Sequence, residues 1–342
     1  MLFSRRFPLH LVFFFALRTA GVGALWALVV FCVYEFVPGT GFLRLPFLPI
    51  ATIGTAVAFY VGFKNNSAYE RFWEGRKIWG GIVNSSRTWA AFVMSYVRPG
   101  DESPEAHEER RVLVYRHLAW VNALRLQLRK TSRFYDRPVR TTRIRLENHA
   151  EHMRNDWDKE ILPFLSESEH ALHKARANPA THMLNAQGTH LARLHRAGEI
   201  DLFRQLALME VVEELYTLQG KCERIKNTPF PRQYAEYSRW FTRVFVALVP
   251  FGLLSVFGDQ IDHGSVLQNI LPVIPMLFSS ALITWVFTTM EGIGDSSEDP
   301  FERSMNDVPM NALSRTIEID LRELLGEKEL PEKEQPIDHV MY

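Results

Sequence analysis

Four long apolar stretches constrain this chain most, because a helix needs about 20 predominantly apolar residues to cross the hydrocarbon core of a membrane. They run from about Leu11 to Val37, Phe42 to Phe63, Trp240 to Gly258 and Gly264 to Met290. Charged residues are concentrated between the two pairs, in residues 98–235. The sequence therefore predicts a protein with four membrane spans and a large polar middle.

A secretory signal peptide is the alternative interpretation of the N-terminus. Arg5 and Arg6 precede the apolar run LVFFFAL, as a signal sequence would require. A convincing small-residue cleavage site does not follow, and a second apolar stretch comes directly afterwards. These features favour a first membrane span over a cleaved leader.

Basic residues predict the orientation of the spans, because Lys and Arg accumulate on the cytoplasmic side. The connection from Asp259 to Asn269 contains neither, and the first connection contains only Arg44. The other flanking basic residues all fall on one side: Arg5, Arg6, Arg18, Lys64, Arg71, Arg76, Lys77, Arg232, Arg239 and Arg243. We therefore expect a multi-pass membrane protein with both termini and the polar middle in the cytoplasm.

The polar middle contains amphipathic helical patterns and no alternating strand pattern of useful length. The patterns cover about Glu105–Lys130, Glu147–Leu165 and Asp201–Lys226. The predicted fold class is an all-α membrane protein with four transmembrane helices and a cytosolic helical bundle. The predicted organisation is residues 1–63 as the first two transmembrane helices (the second over 42–63), 64–239 as the cytosolic region, 240–290 as the last two spans, and 291–342 as a C-terminal segment and tail.

Composition argues against several functional classes. The 39 basic and 39 acidic residues balance, so nothing indicates a nucleic-acid partner. Cys32 and Cys222 lie in an apolar and a charged stretch, which makes them an improbable disulfide. The histidine pairs His149/His152 and His170/His173 have no carboxylate at a recognised metal-ligand spacing. We expect no metal, cofactor or enzymatic activity, since catalytic and nucleotide-binding motifs are also missing from the sequence.

The second apolar stretch carries the most informative pattern. Thr55, Phe59 and Phe63 are spaced by four residues and therefore share one helix face. Asn66 and Glu70 continue that face in polar form. A plain lipid-facing or packed stripe is the alternative, but the change from aromatic to amide to carboxylate is typical of a dry throat opening into a wet vestibule. One such helix encloses a pore only in a closed ring of subunits.

Three passages resemble the bestrophin family, and specifically its bacterial branch. They are GFKNNSAYERFWEGRKIWGGIVNSSR (residues 62–87), CERIKNTPFP (residues 222–231) and EDPFERSMNDVPMNALSRTIEIDL (residues 298–321). Their order and their positions relative to the four spans are those of the family. The resemblance covers nearly the whole chain and is weakest around residues 130–200.

The resemblance implies a homopentamer, embedded in membrane lipid, that conducts small monovalent ions through one central pore. The family's neck residues fall on Thr55, Phe59 and Phe63, and Asn66 and Glu70 would lie in the vestibule below. Relatives usually carry a bulky aliphatic residue at the first neck position, so Thr55 implies a wider, more hydratable outer end.

The family also has a constriction at the cytosolic exit, formed by an apolar residue on the helix before CERIKNTPFP. The register is open, with Leu206 and Met209 as the candidates.

Calcium activation and ion selectivity are the two remaining properties of the predicted channel. Animal relatives bind calcium in an acidic run after a Pro-Phe pair, whereas Pro300-Phe301 is followed here by ERSMND. Since calcium requires six to eight oxygen ligands, we expect no calcium activation through this segment. Glu70 would favour cations if it faces the pore, whereas an ion pair with Lys77, Arg71 or Arg76 at a subunit contact would remove that preference.

Two other functions remain open at the level of sequence. A secondary transporter would use broken helices at the bilayer midplane, and Pro46, Pro49, Pro272 and Pro275 could mark such breaks. Prolines near the outer ends of spans are more often simple kinks. The second alternative is a membrane-anchored scaffold whose cytosolic helices carry the function.

Overall fold

A computed structural model describes residues 9–130, 147, 153–261, 266–302, 304, 306–337 and 339–342, with backbone alone for 9–15, 259–261 and 266–272. The α-helices are α1 Leu9–Phe36, α2 Phe47–Tyr96, α3 Pro104–Leu128, α4 Trp157–Ile161, α5 Glu167–Lys174, α6 Pro179–Arg196, α7 Leu202–Asn227, α8 Arg232–Ile261, α9 Val266–Ser297 and α10 Met310–Leu324. Short 3₁₀ helices cover Thr40–Leu43 and Leu162–Phe164. The His149/His152 pair, Arg303 and Met305 lie outside the described residues.

The prediction of four membrane helices in an all-α protein is confirmed. Four segments are long and apolar enough to span a membrane: Ala16–Phe36, Thr40–Tyr96, Arg232–Gly258 and Val273–Ser297. Helix α8 continues through Pro250 without interruption, and α9 runs unbroken from Val266 to Ser297. The broken helices expected of a secondary transporter are therefore not seen in these two spans.

The second membrane helix begins later and ends much later than its apolar stretch. Residues Thr40–Leu43 form a 3₁₀ turn, and α2 begins at Phe47, directly after Pro46. Proline disfavours helical backbone at the residue before it, which explains the delayed start. Pro49 lies in the first turn, where no intrahelical N–H is required, so it does not break the helix. The helix then runs for 50 residues.

Two of the three predicted cytosolic helices are confirmed and one is wrong. Helix α3 begins at a proline behind the Ser103 cap, and α7 begins behind the Asp201 cap. The pattern over Glu147–Leu165 is not one helix, because Asp156 caps a short α4 by accepting hydrogen bonds from the backbone N–H groups of Asp158 and Lys159. Arg154, just before this cap, has a φ of 50°.

The chain forms two compact units, and the first is the membrane unit, Ser4–Glu70 with Phe230–Glu298. Helix α1 packs against α9, and α9 against α8. The buried core includes Val57, Val61 and Phe245. Gly54 of α2 is required at its position, since a β-carbon there would lie 2.6 Å from the Phe245 ring. Small residues allow such close approach of helices in membranes.

The second unit, which we call the helical unit, comprises Arg71–Pro229 with Asp299–Tyr342. Helix α3 packs against α6 and α10, and α6 against α7. The side chains of Trp79, Trp89 and Trp120 are fully buried in its core. The Trp120 indole N–H donates to Gln219 Oε1 at 2.9 Å, so this polar atom is satisfied. Cys222 is also buried here, and desolvation raises the pKa of its thiol.

Candidate pore-lining site

The face of α2 predicted to line a pore is exposed within one subunit. Phe59 is 67% exposed and Phe63 is 70% exposed, and Thr55 on the same face is also exposed. The Thr55 hydroxyl donates to the carbonyl of Ala51 at 3.1 Å. Its proton is therefore directed into the helix, and its oxygen keeps acceptor capacity for water.

The polar continuation of this face is also exposed, one to two turns beyond Phe63. The side-chain amide of Asn66 donates to Glu70 Oε1 at 2.8 Å. This i, i+4 hydrogen bond orients the carboxylate on the same helix face. Thr55, Phe59, Phe63, Asn66 and Glu70 thus form one continuous surface, about 22 Å long at 1.5 Å per residue.

The opposite face of α2 is held in the membrane unit by charge. Lys64, only 2% exposed, directly follows the last aromatic residue of the predicted neck. Its ammonium group donates to Glu291 Oε1 at 2.7 Å and to Asp295 Oδ1 at 2.9 Å, both on α9. Arg239 of α8 also binds Asp295, at 2.8 Å. Lys64 and Arg239 therefore join α2, α8 and α9 through Glu291 and Asp295, and Arg239 also pairs with the exposed Glu236 of its own helix.

Asn65 adds a backbone contact at the same level. The side-chain amide N–H of Asn65 donates to the backbone carbonyl of Met290 at 2.9 Å. Gly294 makes this approach possible, since a β-carbon there would lie 2.2 Å from Asn65 Oδ1. Lys64 and Asn65 together fix the rotation of α2 about its axis, and this rotation determines which side Phe63 faces.

The structure separates the two candidates for a cytosolic constriction. Leu206 is 52% exposed on α7, beside the exposed ring of Phe203. Met209 is half-buried, and its terminal methyl packs close to Gly188 of α6. Of the two, Leu206 is the side chain available to line a passage, while Met209 contributes to the core of the helical unit.

The described carboxylates of the segment Asp299–Asp307 have polar or charged neighbours. Lys226 donates to Glu302 at 2.6 Å, and the Ser304 hydroxyl donates to Asp307 at 2.5 Å. Arg71 lies 3.8 Å from Asp299. Over the described residues, moreover, no three His, Cys, Asp or Glu side chains are grouped as metal ligands would be.

A sequence model of the bacterial and fungal bestrophin proteins matches residues 16–323. This chain belongs to the bestrophin family. A bacterial bestrophin homologue from Klebsiella pneumoniae shares the fold, with a TM-score of 0.74 over 92% of this chain and 99% of that chain at 24% identity. The family and fold predicted from the three sequence passages are thereby confirmed.

Bacterial proteins named for channel formation are also similar to this bestrophin. A voltage-dependent anion channel-forming protein of Mesorhizobium japonicum is 30% identical over 279 residues, 82% of this chain and 75% of that protein. The voltage-dependent anion channel-forming protein YneE of Escherichia coli K12 is 27% identical over 297 residues, 87% of this chain and 83% of that protein.

Sequence reasoning missed the role of Lys64 in this bestrophin. It used Lys64 and Arg239 only as markers of the cytoplasmic side. Glu291 and Asp295 are spaced i, i+4 directly after a fourth span without charges, and this carboxylate pair was the available signal. Two carboxylates on one helix face at a membrane boundary require cationic partners on neighbouring helices.

Proposed function

We propose that five copies of this bestrophin form a passive channel for small monovalent ions. The exposed aromatic face of α2, which turns polar at Asn66, is the observation that carries the proposal. The continuity of the aromatic and polar residues on one exposed face favours a pore lining over a lipid-facing stripe. Closing five such faces around one axis would form a hydrophobic neck at Thr55, Phe59 and Phe63, above a wet vestibule.

We propose a bacterial inner-membrane location with both termini in the cytoplasm. Tyr234, Tyr237 and Trp240 are exposed at the start of α8, and the Arg243 guanidinium lies 5.8 Å from the Trp240 ring. Aromatic rings and arginines of this kind anchor helices at the lipid headgroups. They support a cytoplasmic boundary of the bilayer near the first turns of α8.

Reconstitution of the purified protein in a planar bilayer tests the channel directly. We expect single-channel currents under a salt gradient, and a native mass of five subunits for the purified particle. Silent bilayers containing correctly assembled pentamers would contradict conduction. A subunit number other than five would contradict the pentamer. Any currents measured would then belong to a ring of different symmetry.

Glu70 should contribute to charge selection, because its carboxylate lies on the exposed face just below Phe63. The relatives are named for anion channels, whereas a ring of five Glu70 carboxylates would favour cations. The sign of the wild-type reversal potential under a salt gradient distinguishes anion from cation selectivity. In either case Glu70→Gln should move the reversal potential toward the chloride equilibrium potential. The control Glu236→Gln removes an exposed carboxylate that pairs with Arg239. Equal reversal potentials in wild type and Glu70→Gln would remove Glu70 from the ion path.

Calcium should leave the open probability unchanged. Glu302 and Asp307 are engaged with Lys226 and Ser304, and a calcium ion would have to displace both partners to collect six to eight oxygens. The open probability is measured before and after micromolar calcium is added to the cytoplasmic side of the bilayer. Magnesium at the same concentration is the control for divalent charge. A several-fold rise specific to calcium would contradict the expectation.

A further inference from the structure

The helical unit contains a cavity that the pore does not use. Its volume is about 610 Å³, and it lies among α3, α5 and α6. Cavities of roughly 300–1,000 Å³ are typical of small-molecule sites. Apolar lining comes from Val112, Leu172 and Ala186.

The charge of the cavity lining is strongly positive. Among the described residues, one carboxylate, that of Glu109, lines it together with four arginines: Arg116, Arg176, Arg193 and Arg196. Glu109 is ion-paired with Arg193, and Arg116 is ion-paired with Glu169. Arg176 and Arg196 are exposed, and across the described part of the chain neither forms an ion pair with a carboxylate. Two positive charges are therefore left uncompensated at the cavity.

A rigid hydrogen-bonded frame supports these arginines. Arg116 is buried, and one terminal nitrogen donates to His190 Nδ1 at 2.9 Å and to Gln187 Oε1 at 3.2 Å. Burial lowers the pKa of His190, which favours the neutral ring. Arg116 faces Nδ1, while Nε2 lies against both Glu109 and the Arg193 guanidinium, so these three side chains meet at one ring nitrogen. Glu109 is thus fixed from two sides, and it fixes Arg193.

His173 supplies a second, independent indication of a ligand. This side chain is only 2% exposed and lines the cavity. Neither of its ring nitrogens has a hydrogen-bond partner among the described residues, since Nε2 is 3.6 Å from the nearest Glu169 oxygen. Glu169 is thus at ion-pair distance from Nε2, while Nδ1 faces no partner among the described residues. A buried ring nitrogen without a hydrogen bond is costly, and a polar ligand in the cavity would satisfy it.

We propose that this cavity binds a soluble organic diphosphate. Arg196 on α6 would bind one phosphate, while Arg176, just after α5, would bind the other. Arg193 lies one turn from Arg196 on the same face and stays paired with Glu109. Planar guanidinium groups match phosphate oxygens through paired hydrogen bonds. His173 would donate to a phosphate oxygen from the buried side, and the apolar lining would contact the organic group.

Calorimetric titration of the full-length protein in detergent tests this site, with inorganic pyrophosphate and adenosine diphosphate as probes. We expect saturable binding of one molecule per subunit. Arg176→Gln with Arg196→Gln should weaken binding about tenfold or more, which corresponds to about 1.4 kcal/mol. His173→Leu should weaken it as well, because leucine offers no hydrogen-bond donor on the buried side.

Arg224→Gln is the matched control, because Arg224 is an exposed arginine of the same unit that pairs with Glu74 outside the cavity. The Arg224→Gln protein should bind both probes as tightly as wild type. Absence of saturable binding by wild type would overturn the site. Equal weakening by Arg224→Gln would also overturn it, since it would show attraction to surface charge. The arginine variants should keep the wild-type melting temperature, because the substituted arginines are exposed.

Discussion

Phe59→Ala should raise the single-channel conductance several-fold, and Phe59→Ala with Phe63→Ala should raise it further. A narrow apolar neck excludes water, and ions cross it only by losing part of their hydration shell. Removing one ring per subunit widens the neck and allows it to hydrate. A barrier lowered by about 1 kcal/mol already increases the current roughly fivefold.

Phe278→Ala is the matched control for this experiment. Phe278 lies on α9 in the same membrane unit and is 69% exposed, nearly the same as Phe59 and Phe63. It differs in lacking the polar continuation that follows Phe63 on α2. If Phe278→Ala raised the conductance as much as Phe59→Ala, the α2 face would have no special relation to the ion path, and it would be reinterpreted as lipid-facing.

Lys64→Met should destabilise the membrane unit strongly. The substitution keeps the apolar stem of the side chain but leaves Glu291 and Asp295 with Arg239 as the remaining cation of the cluster. Removing one partner of a buried ion pair costs on the order of 3–5 kcal/mol, because the remaining charge is desolvated without compensation. The apparent melting temperature in detergent, followed by tryptophan fluorescence, should fall by about 5 °C or more.

Charge balance provides the control for Lys64. Lys64→Met combined with Glu291→Gln removes one charge of each sign, and it should recover a large part of the lost stability. Lys77→Met, which changes an exposed lysine of the same helix, should have little effect. A Lys64→Met protein as stable as wild type would show that the cluster is not needed to hold α2 against α9.

The four membrane helices of this fold were predictable because hydropathy is a local signal. The 22-Å exposed surface followed from residue spacing once α2 was taken as one helix. The start of α2 at Phe47 was missed, since an apolar window does not distinguish a 3₁₀ turn at Thr40 from the first turn of a helix. The short α4 was missed because the cap at Asp156 outweighed a continuous amphipathic pattern.

Long-range contacts account for what the sequence left open. Lys64 and Asp295 are 231 residues apart, so their pairing depends on tertiary packing that no local pattern encodes. The different exposure of Leu206 and Met209 likewise depends on which side of α7 packs against α6. The arginine-rich cavity combines residues of three helices, and scattered histidines and arginines gave no motif in the sequence.

The two cysteines make this protein convenient for chemical mapping. Cys222 is buried, and its thiol is held in the unreactive protonated form by desolvation, so alkylating reagents should pass it by. Cys32, half-buried on α1, is then the background thiol to replace by serine. A single cysteine introduced at Thr55, Phe59 or Phe63 would report water access along α2 by its rate of modification, without rebuilding the rest of the chain.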